Sequence, residues 1–505
     1  MNHPQALPLA LTILAGCHAA HPQESKETAA PALQAGAPQS ITVTVAPGAR
    51  QAFAGLGTSE GNWRYDYQKL SARERLSLSQ LVFGELKMKT LRLWLNLDEF
   101  QPTPGAHDIA DFRARYIDSR LIADAQAQGV VNLLLAPDAM PAHMKLKREG
   151  GGHDFALRDD SIGDYGALIA GFIKQIRDET GVHITATGVQ NEPNDLDRIS
   201  PEQMPRVILA LRSALDARGL QKVQIIGPEA ANVDGGLYDT LSRIQAEAGA
   251  WRALDGIASH SYSMAATEKA AGSIAGGQGQ NLKSYWMTEA SANGPEEPGD
   301  AIQGASLAAR FLSDMNHRVT HWVHFIGFEV PDPKDNATRI VAYQTAPLRT
   351  TVFQKFFYYR QLTNAFDVGA LFRQSQSSLE GDMTWTYGPK PRLTVAAARN
   401  PDGSWGIGLS NFTAPNFLEV PRQNNGGDFF NGYHARTFAV TLSVPELARS
   451  GTLSFQVHRS NSTLNDVAQA PVTMKNGRVT VTLDPLDLVT LRSAGIKARR
   501  TMPRM

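Results

Sequence analysis

The feature that most constrains this chain is an alternation repeated from Phe53 to Phe366. Short runs rich in β-branched and aromatic residues take turns with longer stretches of helical period. The strand candidates are Phe53–Gly57, Thr90–Leu95, Val131–Ala136, Ile184–Gln190, Val223–Gly227, Gly256–His260, Tyr285–Thr288 and His321–Phe328. Between them lie the amphipathic stretches Ala72–Phe83, Phe112–Gln128, Tyr165–Glu179, Pro205–Arg218, Tyr238–Ala248 and Ala305–Asn316, and Phe353–Phe366 closes the pattern. Strand–helix units repeated in this way demand a parallel sheet. Eight of them predict a closed (β/α)8 TIM barrel. An open doubly wound sheet would carry a Gly-rich phosphate turn after its first strand. Here Gly55-Leu-Gly57 is only a fragment of one, and it runs on into Thr58, Ser59 and Glu60.

From Leu371 onward the period shortens. Leu393–Asn411 reads as two strands around an Asn-Pro-Asp-Gly turn, and Phe438–Leu442, Gly451–Val457, Val479–Leu483 and Leu488–Leu491 continue as short strands. These predict an appended β-sandwich. The alternating run Ile41–Val45 is a lone strand able to join it. The expected division is a barrel over 53–366 and a sandwich over 41–52 plus 367–497. Before them come a flexible tether, 18–40, rich in Ala, Pro and Gln, and a signal-like segment, 1–17.

Lys plus Arg total 49 and Asp plus Glu total 49, so the formal net charge is zero. A neutral chain has no electrostatic footprint for nucleic acid and no polybasic membrane patch. The single cysteine is Cys17, so disulfides do not support the folded part. It ends an apolar run from Ala6 to Ala15 that is too short to span a bilayer. Leu14-Ala-Gly-Cys17 resembles the lipobox of bacterial lipoproteins, although no Lys or Arg precedes it. The resemblance implies lipidation at Cys17. With His18 rather than Asp next to it, it also implies an exported protein held at the outer membrane.

Two glutamates carry the chemistry. Glu192 ends the fourth strand candidate and Glu289 ends the seventh. In a parallel barrel, strand C-termini converge on one face, and active sites sit there. Two carboxylates so placed can divide one job, one held neutral to donate a proton and the other charged to attack carbon, as in glycoside hydrolysis. Asn191 adds an amide next to Glu192. Simple alternation sends these two neighbours to opposite sides, so a twist or bulge at the strand end is required, and Pro193 favours a break there. By the same parity Trp94 and Trp322 point inward with Arg92 and His324, where they could stack on sugar rings. Counting back from Glu289 aims Trp286 at the helices. Glu229, after Gly227-Pro228, is a third strand-end carboxylate placed to contact substrate. The histidines show no metal-ligand spacing.

Thr187-Gly-Val-Gln-Asn-Glu-Pro193 resembles the acid/base strand of the retaining clan A glycosidases, and Tyr285-Trp-Met-Thr-Glu289 their nucleophile strand. Phe53-Ala-Gly-Leu-Gly57, the run Ala136–Lys145, Ser259-His-Ser-Tyr262 and the barrel-plus-sandwich order are similar to glycoside hydrolase family 30. The chain departs from that family at Asp138, where a Trp is often found, and along Thr320–Glu329. The resemblance implies a retaining β-glycosidase with Glu192 as acid/base and Glu289 as nucleophile. Arg92 and Tyr262 would flank the nucleophile and Asn191 would hold the 2-hydroxyl, with His260 and Asp138 lining the substrate site and no cofactor or metal needed. The expected substrate is a β-linked polysaccharide or glycoconjugate, cut internally as in a β-1,6-glucanase, galactanase or xylanase. Long loops after the third strand (144–154) and the eighth (329–339) favour an open cleft. An exo-acting, glucosylceramidase-like enzyme and an inactive sugar-binding lipoprotein are the alternatives.

Lipid chains hold by apolar burial, so detergent and not salt is expected to release the protein from membranes. Fractionation of Cys17→Ser checks this: the variant should become soluble, and equal membrane retention would exclude the anchor.

Overall fold

The eight-unit alternation closes on itself. In a computed structural model describing residues 37–147, 155–194, 197–262, 268–275, 283–377, 379, 392–414 and 435–495, the barrel strands are, in order, Gly55–Glu60, Thr90–Asn96, Asn132–Asp138, Ala186–Thr187, Gln224–Ala230, Gly256–His260, Ser284–Ala290 and His321–Phe325. Each pairs in parallel with the next, and the eighth returns to the first, with His321 opposite Gly55. Cys17, most of the tether and 148–154 of the loop after the third strand lie outside the described residues.

The helices form where the sequence supplies both an apolar stripe and a stop. Ser71 caps Ala72–Ser79 reciprocally: its Oγ accepts from Glu74 N at 3.4 Å, and Glu74 Oε2 accepts from Ser71 N at 2.8 Å. Such a cap contributes about 1 kcal/mol. Ile162–Thr180 buries Leu168, Ile169, Phe172, Ile173 and Ile176 and ends at Gly181, whose φ of 72° is the left-handed stop that glycine adopts without strain. Asp300 caps Ala301–Asn316 through Ile302 N at 2.9 Å.

Side chains pointing out of the strands, among them Leu91, Leu93, Leu133, Leu135, Ile225, Ile257 and Met287, pack under these helices as one core. The inward side chains form a separate layer of Leu134, Ala186, Ile226, Ala258 and Trp286. Trp286 stacks on His321 with ring centroids 3.4 Å apart. The barrel is thus plugged below the C-terminal ends of its strands, as a packed core and not a pore.

The second domain is a ten-stranded, mostly antiparallel sheet around its own apolar core, which includes Val43, Val395, Ile407, Phe438, Val440, Phe455 and Leu491. Gln39–Val45 inserts between Phe438–Ser443, in parallel, and Ser375–Ser377, antiparallel. Two barrel helices meet this domain. Asn316, at the end of Ala301–Asn316, donates to Val395 O at 2.7 Å and accepts from Ser375 N at 3.1 Å. In Gln354–Ala365, Tyr358 donates to Leu486 O at 2.6 Å and Gln361 to Leu488 O at 3.0 Å.

Close approach at this seam depends on Gly406. A Cβ there would lie 2.2 Å from the backbone oxygen of Ala365, which cannot swing aside as a side-chain tip would. Gly406→Ala is therefore expected to destabilise the protein by about 1–3 kcal/mol. Urea unfolding checks this; unchanged stability would mean that the seam yields freely.

Candidate active site

The polar side chains of the barrel collect at the mouth formed by the strand C-termini. Arg92 and Trp94 come from the second strand, Asp138 from the third, Glu229 from the fifth, His260 from the sixth and Glu289 from the seventh. The fourth strand is regular only over Ala186–Thr187. Beyond it the chain still follows its neighbour, with Gly188 N donating to Leu135 O at 2.8 Å and Asn191 N to Pro137 O at 2.7 Å. Glu192 then adopts a left-handed backbone, φ 45°, and this break lets Asn191 and Glu192 both face the mouth. Ala139 (φ 47°) and Glu229 (φ 61°) take the same rare conformation at the ends of the adjoining strands. Each costs about 1–3 kcal/mol, a strain that clusters at functional sites.

The seventh strand carries a bulge. Ser259 pairs with Met287, but His260 pairs with Glu289, so Thr288 is an extra residue. The insertion returns Glu289 to the inner side, the side of Trp286.

Arg92 joins these groups. Its guanidinium is fully buried. One terminal nitrogen donates to Glu289 Oε2 at 2.7 Å. The other donates to Asn191 Oδ1 at 2.8 Å and lies 3.4 Å from both Glu229 Oε1 and His260 Nε2. Its Cζ stands 4.7 Å from the Trp94 ring centroid. Glu289 Oε1 accepts the Tyr262 hydroxyl. Glu192 Oε1 is 2.8 Å from His260 Nδ1. One carboxylate oxygen each of Glu192 and Glu289 and a ring nitrogen of His260 lie within 4.8 Å of one another.

Burial works against the charge of Arg92, but Glu229 and Glu289 outweigh it and hold the guanidinium above its ordinary value. Burial lowers His260 to about 4, so its ring is neutral at neutral pH. Because the arginine can only donate, His260 Nε2 is the acceptor and the ring proton sits on Nδ1, facing Glu192. Burial pushes Glu229 up, opposed by Arg92 and His260.

Glu192, His260 and Glu289 are close enough to suggest metal ligands. However, the Arg92 guanidinium already contacts Glu289 and His260, and a cation among these groups would sit against a buried positive charge. This arrangement suits an uncharged reacting group better than a metal ion.

Of the residues singled out in the sequence, Arg92, Trp94, Asn191, Glu192, His260, Tyr262 and Glu289 come together here, with Asp138 beside them. Trp322 does not. Its Nε1 donates to Asp314 Oδ2 at 2.8 Å, and its ring packs on Phe311 and Tyr359 among the helices. His324 turns outward too, bonded to the Tyr359 hydroxyl and Thr338 O. In the eighth strand the inward side chains are His321 and Phe325, one step out of phase with the expected parity. Trp286, expected to face the helices, lines the barrel interior, because the bulge at Thr288 breaks the count back from Glu289. Glu229 is fully buried against Arg92 and makes no surface for substrate.

Trp63 was not visible to strand parity, because it stands on the loop after the first strand. Its half-buried ring lies 6.2 Å from Trp94 and 6.1 Å from Phe325, forming an aromatic wall beside Arg92. Asn62 fixes this loop through bonds to Gln68 Oε1 and Arg115 O, both 2.8 Å, and from Tyr67 N at 3.2 Å. The signal available was Gly61-Asn-Trp63 directly after a strand end.

Asp138 is pushed up to about 7, chiefly by burial and further by Asp197 and Glu192. The folded state thus retains a proton that the unfolded chain loses near pH 4. The associated stability is complete below that pH and is lost as pH rises through about 7. Asp138→Asn is therefore expected to raise the melting temperature more at pH 8 than at pH 4. Melting curves at the two pH values check this; an equal change at both would remove the titration of Asp138 as the cause.

No protein-family model matches this sequence, and no curated protein matches it. The likeness is structural. The catalytic domain of GH30 xylanase C from Talaromyces cellulolyticus superposes with a TM-score of 0.65 at 18% identity, over 90% of this chain and 100% of that one. A GH30 endoxylanase from Clostridium papyrosolvens gives 0.64 at 16%, over 90% and 100%. The endo-β-1,6-glucanase BT3312 gives 0.59 at 14%, over 89% and 94%. A closed barrel with an appended β-sandwich, matched over nearly the whole chain, gives this protein the fold of the family 30 glycoside hydrolases.

Proposed function

We propose that the chain is a retaining β-glycoside hydrolase that cuts a β-linked polysaccharide or glycoconjugate internally by double displacement. The observation that carries this is the proximity of Glu192 and Glu289, with a carboxylate oxygen of each within 4.8 Å of the other at the barrel mouth. Retaining enzymes hold their two carboxyl groups about 5–5.5 Å apart, whereas inverting ones leave about 6.5–9.5 Å for a water. Internal cleavage is favoured by the likeness to endoxylanases and an endo-β-1,6-glucanase.

The hydrogen bonds support the following steps. His260 donates from Nδ1 to Glu192 Oε1 and so orients the carboxyl that would carry the transferable proton. Glu192 gives that proton to the leaving oxygen as Glu289 attacks the anomeric carbon and the glycosidic bond breaks. A glycosyl ester on Glu289 results. Glu192, now a carboxylate, then takes a proton from water, which opens the ester and frees Glu289. Arg92 and Tyr262 fix the Glu289 carboxylate for in-line attack. Since Asn191 accepts from Arg92 through Oδ1, its amide nitrogen is the group that would donate to the sugar 2-hydroxyl. Trp63 and Trp94 supply flat apolar faces for the C–H side of a pyranose.

The test is a panel of aryl β-glycosides and β-linked polysaccharides. Glu289→Ala is expected to abolish hydrolysis. Glu192→Ala is expected to lose roughly 10²–10⁴-fold on polysaccharide but much less on an aryl glycoside with a good leaving group, which needs no protonation. Equal losses on both would remove Glu192 from the acid role. Early product of inverted anomeric configuration, read by NMR, would remove Glu289 as nucleophile.

A further inference from the structure

The reaction outlined above uses Arg92 but has no role for Glu229, the carboxylate behind it. Glu229 is fully buried on the fifth strand and adopts a left-handed backbone. Its Oε1 lies 3.4 Å from the same Arg92 nitrogen that binds Asn191. Among the described residues its Oε2 has no hydrogen-bond partner. That oxygen fills the space beside Gly188, where a Cβ would come within 1.7 Å of it. The chain thus keeps a strained, buried, half-satisfied acid and leaves side-chain space vacant on the neighbouring strand to hold it. A core assembled for stability alone would place an apolar side chain here, because a buried carboxylate is costly unless its environment compensates fully.

The geometry indicates what that cost supports. Arg92 lies between two carboxylates. Glu289, toward the mouth, has the short bond of 2.7 Å, and Glu229, toward the barrel interior, has the long contact of 3.4 Å. A nucleophile that holds a guanidinium alone is strongly stabilised as an anion and attacks carbon poorly. A second anion on the far side of the guanidinium weakens that hold.

We propose that Glu229 is a positioning residue that divides the charge of Arg92 between two carboxylates and so sets the nucleophilicity of Glu289. The inference rests on the glycosidase reading for its rate consequences but not for its electrostatic ones. The groups facing this pair from the surrounding strands are Arg92 on the second, Asp138 on the third, Glu192 after the fourth, and His260 and Tyr262 on and after the sixth. Arg310 acts on His260 from the helix that follows the seventh. His260 is neutral, so the ion pairs that reach Glu289 are its own with Arg92 and, through the same guanidinium, that of Glu229.

The sign follows directly. Removing a like charge favours the ionised form of Glu289. In Glu229→Gln, a change of nearly equal shape, the acid limb of kcat/KM on an activated aryl glycoside is expected to move to lower pH by about one unit. At neutral pH kcat is expected to fall roughly tenfold, with KM within about twofold of the parent. Glu229→Asp keeps the charge and should keep the limb near its parental position. A carbon-13 titration of the Glu289 carboxyl, identified by its loss in Glu289→Gln, should show the same displacement in Glu229→Gln whether or not the protein turns over a substrate. A parent with no activity on any glycoside would overturn the glycosidase reading, and the titration would still decide the role of Glu229. If neither the limb nor the titration moves in Glu229→Gln, or if Gln and Asp shift them equally, the charge of Glu229 has no such role. A lowered melting temperature with an unmoved titration would mark Glu229 as a structural residue and overturn the proposal in the same way.

Discussion

A guanidinium without access to water must be neutralised by neighbours already in place, and the mouth of this barrel is arranged around that requirement. Arg92 cannot lose its proton, and its burial would be prohibitive without anions close by. Glu289 and Glu229 supply them, and Asn191 and His260 contact the terminal nitrogen that faces Glu229. These partners arrive from four other strand ends, so the constraint ties the second, fourth, fifth, sixth and seventh strands together at one point. The left-handed residues at 139, 192 and 229 and the bulge at 288 are among the local distortions at this end of the barrel, and those at 192 and 288 turn the two candidate catalytic glutamates toward the mouth. A regular barrel would direct several of them elsewhere.

That arrangement also explains how far the site could be read from the sequence. Glu192 and Glu289 were legible because each closes a strand-like run, and strand ends in a parallel barrel share one face. Side-chain direction was legible only where the strand stays regular. Arg92 and Trp94 obey alternation along the second strand. Trp286 and Glu289 do not, since Thr288 is inserted between them. In the eighth strand no residue fixes the phase, and Trp322 faces the helices together with His324. Trp63 could not be found by parity at all, because a loop position has no period. A bulge leaves little mark in a single sequence. It follows from pairing between strands, and pairing is decided by residues distant along the chain.

At the level of the fold, the strand count and the change of period near Leu371 were legible because hydrophobic periodicity is a strong local signal. The fourth strand was read as Ile184–Gln190, yet it is regular for two residues only. β-Branched composition reports a preference for extended backbone but not whether a ladder forms. Past Thr187 the chain remains extended and buried, with its amides directed to Leu135 and Pro137, and then turns at Glu192.

The strand Gln39–Val45 has a consequence for the order of assembly. Its parallel partner is Phe438–Ser443, and just beyond it Gly48 donates to Glu446, 398 residues away. Contacts of such long sequence separation form late, because the intervening chain must first be brought to order. On a ribosome this strand would emerge ahead of the barrel and meet its parallel partner only after the whole barrel had been synthesised. During that time its unpaired edge would be open to pairing with other chains. The sandwich thus serves as a closing element, and its completion records that everything between its first and later strands has already been made.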